Sequence, residues 1–290
     1  MRKGTRGMRI FQAFNIVFLG LIGCITIIPV VNVWAKSFSG ASAILYGKVF
    51  LWPSDFTLSN YEYVIHNDTI WRAFMISVFL ASAGTLINLA MTSSLAYPLS
   101  RPEYRGSRVI LLLILFTIIF SAPLIPVYLW NKQLHLLDTI WVLMIPGAIS
   151  AFNFFVMRSF FQSLPSELID SGRMDGCGEA RILWSIVLPL TKPVMATMGL
   201  FYAVTHWNNY TSAVYFINNR ALYPLQVKVQ EIISNASVAM DEGASIDISQ
   251  MTPEGIKMAV VLVSALPMII VYPFLQRYFV KGLLIGSIKS

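Results

Sequence analysis

Six stretches of the chain, at 10–35, 73–100, 109–130, 139–157, 193–219 and 258–276, contain no Lys, Arg, Asp or Glu. A helix that crosses a hydrocarbon core of roughly 30 Å needs about 20 mostly apolar residues, and every run is close to or above that length. None consists of the short alternating segments that a barrel strand requires. In lipid the backbone must satisfy its own hydrogen bonds. The pattern therefore predicts an all-α integral membrane protein with six transmembrane helices. The third and fourth runs are separated by the polar connector "NKQLHLLD", and the fifth contains His206 but no Lys, Arg, Asp or Glu.

One polar interval breaks the pattern. Between Arg158 and Lys192, both included, stand eight charged residues, six of them within "ELIDSGRMDGCGEAR". Each would cost roughly 2.5–3.5 kcal/mol at the centre of a spanning helix, so the interval belongs in water. It is also far longer than the two to eight or so residues that commonly link helices. Its residues predict two short helices. Pro165 and Glu167 suit a first turn, and Gly176 suits a left-handed stop. Leu164, Leu168 and Ile169 form a small apolar face beside Asp170 and Arg173. A second run, "EARILWSIV", is amphipathic enough to lie at a membrane surface before Pro189 and Pro193 interrupt it. Such an interval reads either as a solvated loop or as an element that docks into a groove of a partner on the same side of the membrane.

Composition fits this frame. The chain is 56% hydrophobic and 12% charged, with 13% aromatics, and its mean hydropathy is +0.67, outside the range of soluble domains. The positive-inside rule puts both termini in the cytoplasm: 14 of the 21 Lys and Arg residues then lie inside. The net +7 is a topology signal rather than a nucleic-acid footprint. The N-terminal "MRKGTRGMRIFQAFNIVFLGLIGC" looks like a leader, but its apolar run is too long for a signal peptide and stays apolar after Cys24. Cys24 and Cys177 fall on opposite sides, which argues against a disulfide between them.

The catalogue of chemical motifs is thin. There is no GxxxxGK[ST] phosphate loop, no HExxH, no CxxC and no G-x-S-x-G, and His66, His135 and His206 are isolated, so neither a metal nor a nucleotide has a home here. Ion-driven carriers place ionisable groups inside the membrane, and these runs offer only His206, which reads as a neutral histidine satisfied by Asn208, Asn209 or a neighbouring helix. The chain is read as no enzyme and as holding no cofactor. Two weaker alternatives are a stand-alone secondary transporter of a small polar solute and an intramembrane hydrolase.

The polar interval resembles the signature loop of permease subunits of ATP-binding-cassette importers, in which an EAA triplet is followed by three residues, a glycine, nine residues and I-x-L-P. Asp170-Ser171-Gly172 stands at the triplet, Gly176 at the glycine and Ile186-Val187-Leu188-Pro189 at the end. Asp170 is one methylene shorter than Glu, and Gly172 replaces Ala at a helical position at a cost of about 1 kcal/mol of propensity. The likeness extends to "HWNNY" in the fifth run and the ending "FLQRYFVKGLLIGSIKS", and is nearest the carbohydrate-uptake, maltose-type permeases. It implies a type I importer architecture: a cytoplasmic N-terminus (1–9), one six-helix permease domain (10–290) and a coupling loop (158–192) comprising Glu167, Asp170, Ser171, Gly172, Arg173, Asp175, Gly176 and Pro189. It also implies a second homologous permease, a cytoplasmic ATPase dimer that binds the ATP, and an extracellular or periplasmic solute-binding protein. Residues 286–290 would touch the ATPase.

A sugar path needs polar and aromatic groups on apolar helices. Asn88, Asn153, Trp207, Asn208 and Asn209, with Tyr210, are the candidates. Small residues in "ASAGTLINLA" permit close helix packing. The outer segment 218–255 reads as a contact for the delivery protein or as a cap.

Overall fold

The computed structural model describes residues 6–241 and 252–287, and most of them are helical. In chain order the helices are α1 (Arg6–Ser37), α2 (Ala41–Leu45), α3 (Ser59–His66), α4 (Asp68–Phe79), α5 (Thr85–Leu99), α6 (Ser107–Ile119), α7 (Leu124–Gln133), α8 (Ala151–Gln162), α9 (Ser166–Met174), α10 (Glu179–Ile182), α11 (Leu188–Leu190), α12 (Lys192–Trp207), α13 (Thr211–Phe216), α14 (Leu225–Asp241) and α15 (Pro253–Ser287). Wide π-turns join α4 to α5 at Leu80–Gly84 and α10 to α11 at Leu183–Val187. No strand occurs among the described residues, only an isolated antiparallel bridge between Ser39 and Phe56.

Three described helices are long and apolar enough to cross a bilayer: Phe11–Ser37, Asp68–Leu99 and Pro253–Val271. The pair Glu179–Leu190 and Lys192–Trp207, bent by 88°, makes a fourth if it is counted as one span. The third and fourth apolar runs are not single helices. Phe120 is extended and Pro123 caps α7, so the third run is split into α6 and α7. The fourth opens with a 3-10 turn, Ile140–Leu143, and becomes α-helical only after Ser150, whose side chain accepts from the Asn153 N–H. Proline is the local reason, because it pushes its preceding residue out of the α region; Ala122 precedes Pro123 and Ile145 precedes Pro146. Hydropathy measures apolar length and does not register such breaks.

The residues gather into two compact units, Met1–Trp71 with Val229–Leu266, and Arg72–Lys228 with Pro267–Ser290. In the first, none of the most apolar stretch of α1 is buried, the condition of a helix whose solvent is lipid. Where α1 ends, Asn60 on α3 donates to the carbonyls of Ser37 and Ser39. Phe38 stacks on Phe56 and tilts against Tyr61, and Lys36 pairs with Glu254.

In the second unit, one core joins α5, α8, α9, α10, the second π-turn and α12 through Phe154, Met157, Phe161, Ile169, Ile182, Val187 and Met198. Another surrounds Leu80, Leu143, Met144, Phe216 and Ile217. Both cysteines are free. Ile288–Ser290, the end of the expected ATPase-contacting tail, and most of the acidic outer stretch "MDEGASID" lie outside the described residues.

Candidate functional site

The 158–192 interval folds as two helical pieces packed back to back. Pro165 stands just before α9, one position ahead of the first turn, with Glu167 near the positive end of the helix dipole. At the other end Gly176 adopts φ +77°. The Gly176 N–H donates to the Arg173 carbonyl and the Cys177 N–H to the Gly172 carbonyl, both at 3.0 Å, which is the Schellman closure of a helix.

Ile169 and Gly172 are buried. A Cβ on Gly172 would lie 2.9 Å from Ile186 Cδ1 and 3.4 Å from Ile182 Cγ1. The glycine that departs from the family triplet is therefore a point of close helix contact as well as a loss of helix propensity. The opposite side of α9 faces out: Glu167, Asp170 and Ser171 are exposed, as are Asp175 and Gly176 beyond its end. Met174, at the tip, is 88% exposed. The sequence reading missed Met174, although a lone apolar residue between Arg173 and Asp175 was the available signal.

A polar network ties this piece to the end of α5. The Tyr97 hydroxyl donates to Glu179 Oε2 at 2.6 Å and Arg173 Nε donates to Glu179 Oε1 at 2.9 Å. Arg173 Nη1 also approaches Glu103 and Asp170 at 3.4 Å each. The hydrogen bond to Glu179 holds the Arg173 guanidinium above its ordinary pKa. Arg158 Nε donates to the Leu99 carbonyl, and Arg101 Nη2 to that of Phe161. Exposed ion pairs contribute little singly, but the charge-assisted Tyr97 bond is short and half-buried, and such bonds are about twice as strong as neutral ones. Beyond α10 the chain passes through the π-turn and α11, where exposed Pro189 sits, and turns sharply at Thr191, whose hydroxyl donates to the Val187 carbonyl.

The second feature is a cavity of about 770 Å³. Its walls come from α5, α7, the 142–153 region, α12 and the break between α12 and α13. Close packing of α5 on α12 makes it possible. A Cβ on Gly84, in the π-turn, would lie 2.5 Å from His206 Nε2, so the imidazole rests on bare backbone. Asn88 Nδ2 lies 3.1 Å from the same Nε2. One turn along, the Thr92 and Tyr202 hydroxyls are 2.7 Å apart, and the Ser150 N–H donates to Tyr202 Oη. His206 is thus satisfied by a neighbouring helix.

Of the six path candidates, Asn88, Asn153, Asn208, Asn209 and Tyr210 line this cavity. Trp207 does not. It is buried and meets Phe74 edge-on, with ring centroids 5.8 Å apart. Ser150, Phe152, Phe201 and Tyr202 line the cavity and were not anticipated; the breaks at Pro146-Gly147 and Asn208-Asn209 were the signal that could have located them.

A mostly helical chain with apolar spans, an exposed helix ended by a Schellman closure and a cavity with no charged side chain in its lining fits the class of solute permeases. The family model described as "Binding-protein-dependent transport system inner membrane component" matches residues 89–285, and this chain belongs to that family, as the permease subunit of an ATP-binding-cassette importer. It is 41% identical to protein LplC of Bacillus subtilis, over 99% of this chain and 97% of that one. It is 39% identical to the polygalacturonan/rhamnogalacturonan transport system permease protein YtcP of the same organism, over 97% and 99%. Among solved structures, a chain from a bacterial ABC transporter involved in the import of the acidic polysaccharide alginate superposes with a TM-score of 0.91 at 33% identity, covering 96% of this chain and all of that one. The family is one of transport permeases rather than enzymes, and it favours this reading over a carrier acting alone.

Proposed function

We propose that this subunit forms half of a translocation channel that imports a saccharide oligomer, with uronate-containing oligosaccharides the substrate class favoured by the relatives that handle polygalacturonan and alginate. Its partners are a second, homologous permease, a cytoplasmic ATPase dimer and a solute-binding protein. Both termini and the 158–192 loop face the cytoplasm within one permease domain. The loop residues Glu167, Asp170, Ser171, Gly172, Arg173, Asp175, Gly176 and Pro189 form or frame the ATPase contact, and Met174 is its protruding apolar tip. Closure of the ATPase dimer pushes α9, and the Tyr97–Glu179–Arg173 network passes that displacement to α5, one wall of the cavity. Asn88, Asn153, Asn208 and Asn209 line the path, while Trp207 braces its wall.

The observation that carries this reading is the exposed α9, held rigidly by its Schellman closure and its seat on Ile182 and Ile186; rigid-body coupling needs such a lever. The test is uptake of trigalacturonate by proteoliposomes. The assembled importer should accumulate it only with ATP and binding protein, and this subunit alone should not. Uptake by the lone subunit under an ion gradient would instead establish the secondary carrier.

A further inference from the structure

We propose that the cavity is a saccharide subsite carried by this subunit itself, and that it reads hydroxyls and ring faces rather than charge, with the spare amide group of Asn88 as its central hydrogen-bonding atom. The proposal rests on the importer reading and assigns a ligand chemistry to one part of it.

Asn88 supplies the first observation. It is 2% exposed, its Nδ2 is engaged by His206, and its Oδ1 has no hydrogen-bond partner. Whichever way the amide is turned, one of its polar atoms meets the imidazole and the other is spare. Buried polar atoms are nearly always paired, and an exception calls for a reason. Its place on the cavity wall supplies one: the atom is covered in this conformation, and movement of the wall during transport would bare it to a sugar hydroxyl, which can donate or accept and so can serve either orientation.

The second observation is the composition of the wall. No Lys, Arg, Asp or Glu is among the lining residues. Their side-chain polar groups are amides, hydroxyls and one imidazole, and the apolar surface includes the Phe152–Phe201 pair, with centroids 6.4 Å apart and both rings exposed. Exposed aromatic rings suit the C–H faces of a pyranose. The volume lies within the roughly 300–1,000 Å³ of ordinary ligand sites. A cavity built to select carboxylates would carry Arg, whose guanidinium pairs with them in bidentate fashion. Here a carboxylate meets only neutral donors, so discrimination between acidic and neutral oligomers falls to other subunits.

The experiment uses the complete importer in proteoliposomes and two diazirine-tagged probes on the same sugar backbone, the charged trigalacturonate and its neutral methyl ester. Photolabelled peptides are mapped in the nucleotide-free and the ATP-trapped complex. Both probes should label this subunit within 146–153 and 204–212, with yields within about twofold of each other, since no ion pair separates them. Asn88→Leu and Asn153→Ala should each lower both yields about fivefold to tenfold, the effect of one lost hydrogen bond. If Asn88→Leu fails to assemble, Asn153→Ala decides. Labelling confined to other subunits, yields untouched by the substitutions, or labelling by the acidic probe alone would overturn the subsite. ATP-driven uptake with an unlabelled cavity would remove the subsite and keep the importer; labelling without ATP dependence would do the reverse.

Discussion

The 158–192 loop and the cavity belong to the same compact unit, yet they solve opposite problems. The loop's helix is closed and backed mainly by neighbours in sequence: α9 leans on residues 10 to 14 positions ahead of Gly172, keeps its charges in water and is closed by one glycine, while Tyr97 and Glu103 anchor its charged groups from farther back in the chain. The cavity draws walls from elements as far apart as Asn88 and His206 and carries no charged side chain. In the roles proposed for them, a lever must be stiff and can be local, whereas a passage through lipid has to keep polar groups uncharged and inside. Local closure makes the loop sensitive to backbone changes, and distant packing makes the cavity sensitive to volume.

The largest expected effect therefore falls on Gly176. Proline fixes φ near −65° and has no N–H, so Gly176→Pro contradicts the +77° torsion and removes the bond to the Arg173 carbonyl. A misplaced proline costs roughly 3 kcal/mol or more. The variant should still insert in the membrane, but ATPase co-purification and ATP-driven uptake should fall at least about tenfold, since each 1.4 kcal/mol or so is one decade. Full transport by this variant would deny the loop its role as a lever.

On the cavity side the sharpest probe is Gly84→Ala. The new methyl would meet the His206 ring, which Asn88 holds in place. Overpacking of this kind costs about 1–3 kcal/mol. Thermal unfolding of the purified complex in detergent should show the loss, and His206→Ala, which opens the space, should recover part of it. Equal losses from Gly84→Ala with and without His206 would mean that the contact does not govern α5–α12 packing.

This contrast also explains what could be read in the sequence. Gly176 was legible because its torsion is a local demand, and the loop because its charges forbid lipid. The helical class was legible in the apolar runs, but the breaks at Pro123 and Pro146 were masked by the hydropathy around them. Within "HWNNY" the residues looked equivalent. A helix turns about 100° per residue, so His206 faces α5 while Trp207 faces Phe74, and Asn208 and Asn209 lie past the end of α12. Tyr202 and Ser150 were invisible because their partnership spans 52 residues.

Gly172→Ala should give the smallest effect, and its sign measures how locally the loop is built. Alanine restores about 1 kcal/mol of helix propensity and matches the family triplet, but its methyl would press on Ile186 Cδ1 at 2.9 Å and Ile182 Cγ1 at 3.4 Å. The nearer contact is the far end of a side chain that can rotate, so the two effects nearly cancel. The unfolding midpoint of the complex should move by no more than an amount equivalent to about 1 kcal/mol. Shortening the obstacle with Ile186→Val, which by itself costs about 0.5–1.5 kcal/mol, should make the added methyl stabilising in the double variant relative to Ile186→Val alone. A large loss from Gly172→Ala that Ile186→Val does not relieve would place the constraint in the backbone of α9. The lever would then owe its stiffness to contacts beyond its immediate neighbours, and the distinction between a local loop and a distributed cavity would weaken.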